Sequence, residues 1–413
     1  MTHPFLSYAF PATGATASRT LPDRLANVIN VKDYGAVGDG STDDTSAIQA
    51  AFDAAWGPAN NPHGVNEYLN RPVIFPRGNY ITTSTLYIFA VAGAQIIGDG
   101  SKVTSITYKG PIPNSFPSGS TKTNLLFTNG FAYSRVQGIS FIMTGGNSAS
   151  DKTVCFNWNW DQVSPINTTQ NLFIDVGFAG ASWGFLAADI DPVGFGAECD
   201  ATSFYNCWID NCDVGLSTRN WNALLGAFWG GRITNCTSFG IWAAAGVLPT
   251  IAGTSFANND LDIQNFGGGA AYIIGCHSTS PNFLKCGGHS SIVGCTHMAT
   301  SVGYFLGTTP GVAISIDACR SLNGYIFGQG SHYIRDSQFD NPDWLHSGSI
   351  RELKTSGPLT FNSLPSRGFQ AEGLLVSISD SPTAAWGANV TAGGGANHVW
   401  IRWNGSNWTV VGV

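Results

Sequence analysis

The sequence predicts an all-β protein in which short parallel strands wind into a solenoid. Charged residues make up only 11% of the 413 residues, which is too few for a protein built from long exposed helices. The 51 glycines supply many turn positions, because glycine readily adopts the positive φ angles that tight turns need. A short motif also recurs at intervals of roughly 20 residues, as repeat architectures require. The 43% hydrophobic content argues against a disordered chain.

The repeated motif places an apolar residue three positions before a small residue. Its copies end at Cys207, Cys236, Cys276, Cys295, Cys319 and Ser337, with a weaker copy that ends at Asn259. One coil of a solenoid cannot bury its apolar side alone, so coils stack at about 4.8 Å and place equivalent residues above one another. We therefore expect the small residues to form one internal column. A β-sandwich is the alternative, but it would show evenly spaced hairpins with N-G or D-G turns.

The N-terminal third predicts an arm and a cap. Residues 1–27 are rich in Pro, Ala, Thr and Ser and predict an extended arm. Residues 28–365 predict the β-helix, and an amphipathic helix at about 43–56 would cover the open end of its stack. Asp43 and Asp44 would lie in the first turn of this helix, where its dipole favours negative charge.

The last part of the chain, residues 366–413, predicts a small C-terminal β module. Residues 398–403 alternate apolar and polar side chains before an N-G-S-N turn and a second apolar strand, which is a hairpin pattern. The module contains Trp386, Trp400, Trp403 and Trp408. We expect these tryptophans to pack within the module or between subunits, with stacking on sugar rings as the alternative.

Composition excludes several classes of partner and site. The net charge of −7, the pI near 5.5 and the lack of a basic stripe argue against nucleic-acid binding. No apolar run has the length of a membrane span, and the N-terminus lacks the pattern of a secretion signal. The nine cysteines include no C-x-x-C pair, so we expect reduced, buried thiols instead of disulfides or zinc ligands. His277, His289, His297 and His332 follow the repeat, and we expect surface or corner positions for them.

Three motifs resemble the start of pectate-lyase-type, glycoside hydrolase 28-related, right-handed parallel β-helix proteins. Residues 28–51 read VINVKDYGAVGDGSTDDTSAIQAA, residues 73–80 read VIFPRGNY, and residues 96–100 read IIGDG. The lead-in at 20–28, TLPDRLANV, is similar to the segment that joins the virion anchor to the β-helix in phage tailspikes and tail fibres. Gly38 and Gly40 would serve a tight turn within the first motif. The motifs are structural and carry no catalytic residue, so they do not establish an activity.

The resemblance implies a phage tailspike or tail fibre that binds and cleaves bacterial surface polysaccharide. Residues 1–27 would contact tail or baseplate proteins of the virion, and family members are usually homotrimers. Free cysteines fit assembly in the host cytoplasm. The alternatives are a structural or receptor-binding fibre without enzymatic activity, and a free polysaccharide lyase or hydrolase.

Acidic residues concentrate between residues 151 and 213, where nine carboxylates accompany one lysine. Glycoside hydrolysis needs two carboxyl groups, one as acid and one as base or nucleophile. If Cys207 points into the stack, strand alternation places Cys207, Ile209 and Asn211 inside and Trp208 and Asp210 outside.

The candidate residues follow from this arrangement. The catalytic candidates are Glu198, Asp200, Asp210 and Asp213, and the substrate-binding candidates are Trp208, Arg219 and Arg232. Turn-forming aspartates and a calcium site are the alternatives; we predict no other cofactor and no resident metal. The acidic segment would repel a polyanion, which favours a neutral or weakly charged glycan.

Overall fold

The protein is a right-handed parallel β-helix with a small antiparallel sheet at its C-terminus. The structure is a computed structural model that describes residues 9–11, 14, 16–58, 70–112, 122–159, 166–187, 199–218, 225–243, 248–265, 270–328, 330–339, 349–354, 358–364 and 372–413. The chain divides into two compact units, Met1–Thr202 and Ser203–Val413. The predicted fold class is confirmed.

The first unit contains two α-helices, α1 (Leu21–Leu25) and α2 (Thr45–Trp56), and a 3-10 turn at Val31–Tyr34. Its strands are β1 (Ala9–Pro11), β2 (Ser18–Thr20), β3 (Ile29–Asn30), β4 (Asp39–Asp43), β5 (Val73–Phe75), β6 (Gly78–Thr82), β7 (Leu86–Ala92), β8 (Gln95–Gly98), β9 (Thr104–Tyr108), β10 (Thr123–Ala132), β11 (Arg135–Met143), β12 (Thr153–Asn159), β13 (Thr168–Thr169), β14 (Leu172–Ala179), β15 (Trp183–Ala187) and β16 (Cys199–Asp200).

The second unit has a 3-10 turn at Phe361–Ser363. Its strands are β17 (Ser203–Tyr205), β18 (Trp208–Asp210), β19 (Val214–Thr218), β20 (Ala227–Trp229), β21 (Arg232–Thr234), β22 (Phe239–Ala243), β23 (Thr250–Ala252), β24 (Ser255–Ala257), β25 (Leu261–Asn265), β26 (Ala271–Ile274), β27 (His277–Ser278), β28 (Asn282–Cys286), β29 (Ser290–Val293), β30 (Thr296–Thr308), β31 (Ala313–Asp317), β32 (Arg320–Gly328), β33 (Ser331–Arg335), β34 (Gln338–Phe339), β35 (Ser349–Lys354), β36 (Leu375–Ser381), β37 (Asn389–Val390), β38 (Asn397–Trp403) and β39 (Trp408–Gly412).

Helix α2 packs on the first strands of the first unit. Its buried face contains Ile48, Ala51, Phe52, Ala55 and Trp56, and the helix contacts β3, β5 and β7. The Phe52 ring stacks on Trp56 with ring centroids 5.1 Å apart, and it meets Phe75 in a T-shaped contact with ring centroids 6.1 Å apart. The capping helix predicted from the sequence is therefore present, two residues shorter at its start.

Asp43 and Asp44 lie before α2 and not, as the sequence predicted, in its first turn. Asp44 is the N-cap residue but makes no side-chain cap bond; its carboxylate accepts the amides of Val37 at 2.6 Å and Gly38 at 3.1 Å. These bonds close the turn in which Gly38 has φ +71°, and a Cβ at Gly38 would lie 2.8 Å from the Tyr80 ring. The prediction that Gly38 serves a tight turn is confirmed, whereas Asp43 and Asp44 precede the first helical turn.

The N-terminal arm is more ordered than an extended segment in its described part. β1 and β2 pair as an antiparallel hairpin, and α1 follows with Thr20 as its N-cap. Arg19 forms an exposed ion pair with Asp23 at 2.5 Å. Residues 1–8, 12, 13 and 15 of the arm lie outside the described residues.

Parallel pairing between successive coils forms the first unit. β3, β5, β8, β11 and β14 stack in one sheet, β4, β6, β9 and the second half of β11 in another, and β7, β10, β12 and β15 in a third. Six buried phenylalanines fill the interior: Phe131, Phe141, Phe156, Phe173, Phe178 and Phe185. Phe156 lies 5.3 Å from both Phe141 and Phe173. This aromatic core explains how the coils bury enough apolar surface.

The coils of the second unit build three parallel sheets. Sheet A contains β17, β20, β23, β26, β29, β31, β33 and β35; sheet B contains β18, β21, β24, β27, β34 and the starts of β30 and β32; sheet C contains β19, β22, β25, β28 and the ends of β30 and β32. The inward row of sheet A is apolar in all eight strands: Phe204, Phe228, Ile251, Ile273, Ile292, Ile316, Ile334 and Leu353.

Small residues form a column at the corner between sheets A and B, which we call the AB corner. The column contains Cys207, Gly231, Thr254, Cys276, Cys295, Cys319 and Ser337, as the strand register shows. Neighbours in the column bond to each other: the Cys295 amide donates to Cys319 Sγ at 3.4 Å, and the Cys319 amide donates to Ser337 Oγ at 3.1 Å.

The prediction of one column is wrong for two of its members. Cys236 and Asn259 lie at the corner between sheets B and C, in register with Cys212. The Cys236 amide donates to Asn259 Oδ1 at 2.9 Å. Both corners use an apolar residue, a left-handed residue and a small residue in the same order, so the motif matches both. The eight cysteines with described side chains are unpaired and buried, as expected.

The C-terminal module is a four-stranded antiparallel sheet in the order β36, β38, β39, β37. The predicted hairpin is present, because Trp403 of β38 pairs with Trp408 of β39. These two rings are buried and lie 5.5 Å apart, so they pack within the module. Trp386 and Trp400 are exposed.

Candidate functional site

The AB corner presents a row of hydrogen-bonding side chains on the outer surface of the second unit. We call this row the corner strip; it consists of Trp208, Arg232, Ser255, His277, Thr296, Arg320 and Gln338, which are register partners in successive coils of sheet B. Every member is exposed or half-exposed. Neighbouring members are about 4.8 Å apart along the stack, which is the spacing of hydrogen-bonded strands.

Backbone hydrogen bonds fix the corner strip in place. The amides of Arg232, His277 and Arg320 donate to the carbonyls of Cys207, Thr254 and Cys295, one coil earlier, at 2.9 to 3.1 Å. Ser255, Thr296 and Gln338 make the equivalent bonds to their own preceding coils. Because these six members are anchored through their own amides, the spacing of the row is set by the fold and not by the side chains.

The structure brings two predicted substrate-binding residues together. Trp208 and Arg232 are direct register partners and are the first two members of the corner strip. Cys207 and Ile209 are buried while Trp208 and Asp210 are half-exposed, so the predicted alternation is confirmed for these residues. Asn211 departs from it: the residue is exposed and has φ +53°, because the chain turns there into the next sheet.

Asp210 lies on the outer side of sheet B, two residues beyond Trp208. Its Oδ1 accepts hydrogen bonds from Thr234 Oγ1 and Asn235 Nδ2 of the next coil, both at 2.7 Å. Its Oδ2 accepts no hydrogen bond from the described residues. One oxygen of this carboxylate therefore stabilises the stack, and the residue lies on the outer side of sheet B that also holds Trp208 and Arg232.

Asp213 is more deeply placed than Asp210. It is only 7% exposed, and its Oδ1 accepts hydrogen bonds from Thr237 Oγ1 at 2.8 Å and Ser238 Oγ at 2.6 Å. The carbonyl of Asp213 also accepts the amides of Ser238 and Phe239. Asp213 thus holds the corner between sheets B and C in register with the next coil.

The other predicted site residues lie elsewhere in the chain. Asp200 belongs to the first unit, where β16 pairs with β13 and the Thr169 hydroxyl donates to its carboxylate. Glu198 and Arg219 lie outside the described residues. Their catalytic and binding roles stay predictions.

A buried polar network occupies the interior of the second unit. Asp262 is fully buried in β25; Asn259 Nδ2 donates to its Oδ1 at 2.8 Å, and the Ser278 hydroxyl donates to its Oδ2. Burial raises the pKa of Asp262 to about 7, even though Ser278, Ser280 and Asn259 donate hydrogen bonds that oppose the change. A charge on Asp262 is therefore costly to the fold.

Two of the four histidines expected on the surface are buried. His297 and His332 are 0% exposed, whereas His277 and His289 are exposed. His297 bonds through Nε2 to the Ser280 carbonyl at 2.9 Å and through Nδ1 to Ser321 Oγ at 3.0 Å. Burial lowers the pKa of His297 below its usual range, so its neutral ring is a polar member of the core.

Sheet A carries a surface cleft that the sequence reasoning missed. Its volume is about 330 Å³, and its lining includes Tyr272, His289, Ser291, Ser315 and Tyr333. The signal was present in the repeat: these tyrosines and serines each precede the apolar residue of a copy, in Y-I-I-G-C, S-I-V-G-C, S-I-D-A-C and Y-I-R-D-S. Strand register confirms that Tyr272, Ser291, Ser315 and Tyr333 stack in one outward row.

The described residues contain neither a metal-binding cluster nor a membrane-spanning helix. No group of three His, Cys, Asp or Glu side chains in that part of the chain converges so as to hold a metal ion. No helix there is long and apolar enough to cross a membrane. The calcium alternative stays a prediction, since several acidic residues between 151 and 213 lie outside the described ranges.

Comparison with known families identifies the chain. The family model described as "Rhamnogalacturonase A/epimerase, pectate lyase-like" matches residues 28–242, more than half of the chain. The protein belongs to this family. The pectate-lyase-like resemblance inferred from the first three motifs is confirmed, and the match extends well beyond them, into the second unit.

Individual relatives of this pectate-lyase-like protein are distant. A probable glucan endo-1,3-beta-glucosidase from Arthroderma benhamiae is 25% identical over 213 residues, which are 47% of this chain and 23% of that protein. The chain thus spans less than a quarter of the length of this curated relative.

Two solved structures share the fold. Geobacillus virus E2 ORF18 matches with a TM-score of 0.50 and 15% identity over 97% of this chain and 80% of that chain. The Dettilon tailspike protein matches with a TM-score of 0.50 and 12% identity over 94% of this chain and 78% of that chain. At these identities the likeness shows a common fold.

Proposed function

We propose that this pectate-lyase-like protein is a virion tailspike or tail fibre that binds a bacterial surface polysaccharide along the corner strip. The observation that carries the proposal is the strip itself. It presents indole, guanidinium, hydroxyl, imidazole and amide donors at one regular spacing across successive coils. A linear polymer rich in hydroxyl groups can meet such a row repeatedly, and its sugar rings can stack on Trp208.

The virion part of the proposal has separate support. One protein of the same fold comes from a virus, and another is named a tailspike. The lead-in at residues 20–28 also resembles the anchor junction of such proteins. Attachment to tail or baseplate proteins through residues 1–27, homotrimer formation and a place in a phage tail belong to this proposal.

Removal of a strip side chain should weaken polysaccharide binding. We expect Arg232→Ala and Trp208→Ala each to reduce affinity for the host capsular polysaccharide or O-antigen by about ten-fold, the usual effect of removing one central interface residue. Arg135→Ala is the matched control, because Arg135 is an exposed arginine of the first unit. Surface plasmon resonance on immobilised polysaccharide measures the effect. Equal affinity of all three variants and the wild type would show that the polysaccharide does not bind along the corner strip.

Cleavage of the bound glycan is the second candidate function, and the position of Asp210 favours it. Its Oδ2 accepts no hydrogen bond from a described residue, and Asp210 lies on the same outer face as Trp208 and Arg232. General acid or base catalysis requires a carboxyl oxygen that can reach the glycosidic oxygen or a water molecule. Glu198 and Asp200 are the proposed partners for the second carboxyl role, and Arg219 is a further proposed binding residue.

The role of Asp210 has a direct test. Asp210→Asn keeps an Oδ1 acceptor for Thr234 and Asn235, so the stack should persist. We expect shortening of the polysaccharide to fall at least about 100-fold while binding is retained. Size-exclusion chromatography of the polysaccharide measures chain length, and Asp317→Asn on sheet A is the control. If the wild type binds the polysaccharide and never shortens it, the protein is a non-enzymatic fibre. If the protein shortens the polysaccharide but is absent from virions, it is a free lyase or hydrolase.

A further inference from the structure

The cleft on sheet A has the dimensions and chemistry of a binding site. Its volume of about 330 Å³ falls at the lower end of the range of small-molecule sites. Tyr272 and Tyr333 are 54% and 37% exposed, so both rings are accessible to a ligand. The two rings lie three coils apart, about 14 Å along the stack, with Ser291 and Ser315 in the two coils between them.

His289 adds an oriented donor to the cleft. Its Nδ1 accepts the backbone amide of Ala313 at 2.9 Å. A ring nitrogen that accepts a hydrogen bond carries no proton, so the proton of the neutral ring is on Nε2. His289 is exposed and lines the cleft, so its Nε2–H can donate to a ligand there.

The described residues that line the cleft include no acidic side chain, lysine or arginine. The charged residues Asp317 and Arg335 lie two positions further along β31 and β33, outside the lining. The described lining therefore offers aromatic faces, the outward hydroxyls of Ser291 and Ser315 and one N–H group, and it contains no carboxyl group that could act in glycoside hydrolysis.

We propose that this cleft, called here the tyrosine cleft, binds an uncharged segment of a glycan without cleaving it. The inference rests on the proposed function and adds to it a second contact on a different sheet from the corner strip. Aromatic rings at both ends suit the apolar faces of sugar rings, and hydroxyl and N–H groups between them suit sugar hydroxyls. An aliphatic ligand would leave those polar groups without hydrogen-bond partners, which would weaken its binding, whereas a sugar supplies hydroxyl partners.

The test uses the full chain and a glycan array that displays neutral and acidic bacterial oligosaccharides. We expect at least one neutral oligosaccharide to bind, and calorimetry with that oligosaccharide to show about ten-fold weaker binding for Tyr272→Ala and for Tyr333→Ala. Tyr133→Ala is the control, because Tyr133 is a 59% exposed tyrosine of the first unit. Ser291→Phe, which fills the cleft without removing a core side chain, should weaken binding in the same way.

The outcomes separate this inference from the proposed function. If neutral oligosaccharides bind and lose affinity only in Arg232→Ala, the corner strip binds them and the tyrosine cleft does not. If only acidic oligosaccharides bind, the uncharged ligand class is wrong while glycan binding stands. If Tyr272→Ala changes the sedimentation coefficient and leaves sugar binding unaltered, the cleft is a contact between chains and the inference is overturned.

Discussion

Gly231→Ala is expected to destabilise the second unit by more than about 4 kcal/mol, enough to remove most soluble protein. Gly231 is the member of the AB column that has no side chain, and its φ is +72°. A Cβ there would lie 1.9 Å from the carbonyl oxygen of Cys207. That oxygen accepts the amide of Arg232 at 3.1 Å, so it cannot move aside without breaking the bond between neighbouring coils.

The preceding residue provides the matched control. Gly230 has φ +64° and nothing within 4 Å of its Cβ position. Gly230→Ala should therefore cost only the about 1–2 kcal/mol of an alanine in the left-handed region. Soluble yield and the urea midpoint of both variants measure the difference. Similar losses in the two variants would show that the coils are not in the register described above.

Asp262→Asn should remove a pH dependence of stability that the wild type shows. The pKa of Asp262 is raised from 3.8 to about 7 by burial, so the folded protein holds this proton more tightly than the unfolded chain does. Below about pH 4, Asp262 is protonated in both the folded and the unfolded state and does not lower the free energy of unfolding. Between about pH 4 and 7 the unfolded chain ionises more readily, so the free energy of unfolding falls as pH rises. Above about pH 7 this loss of stability is constant. Its upper limit is of the order of 4 kcal/mol.

The asparagine variant keeps the geometry of the network. Its amide can accept from Asn259 and donate to Ser278, so the substitution removes the charge and little else. Urea unfolding at pH 5 and pH 8 should show a midpoint that falls for the wild type and changes much less for Asp262→Asn. Asp260→Asn, at an exposed position two residues away, should behave as the wild type does. Parallel pH profiles for the wild type and Asp262→Asn would mean that the carboxyl group is hydrated.

Sequence periodicity was sufficient to predict the class of fold but not the register of its coils. The motif that ends at Cys207 recurs in register as the residues that end at Gly231 and Thr254, where neither glycine nor threonine matched the expected cysteine. The motif instead aligned Cys236 with Cys207, although Cys236 lies at the corner between sheets B and C. A left-handed residue followed by a small residue satisfies the backbone at either corner, so local chemistry alone cannot distinguish them.

Only part of the candidate site could be predicted, because the rest of it depends on the register between coils. Strand alternation correctly placed Trp208 and Asp210 outside, because that depends only on neighbouring residues. The partnership of Trp208 with Arg232, 24 residues later, depends on register and could only be guessed from the sequence. The burial of His297 and Asp262 depends on hydrogen-bond partners from other coils, Ser321 and Ser278, which a single strand pattern does not reveal.

The most direct test of glycan binding along the corner strip is the dependence of affinity on ligand length. The strip covers six steps between coils, about 29 Å. Size-fractionated fragments of the host polysaccharide should bind the full chain more tightly as they lengthen, until they span the strip, and then level off. Affinity that does not depend on fragment length, or no binding at any length, would contradict a polymer bound across the coils.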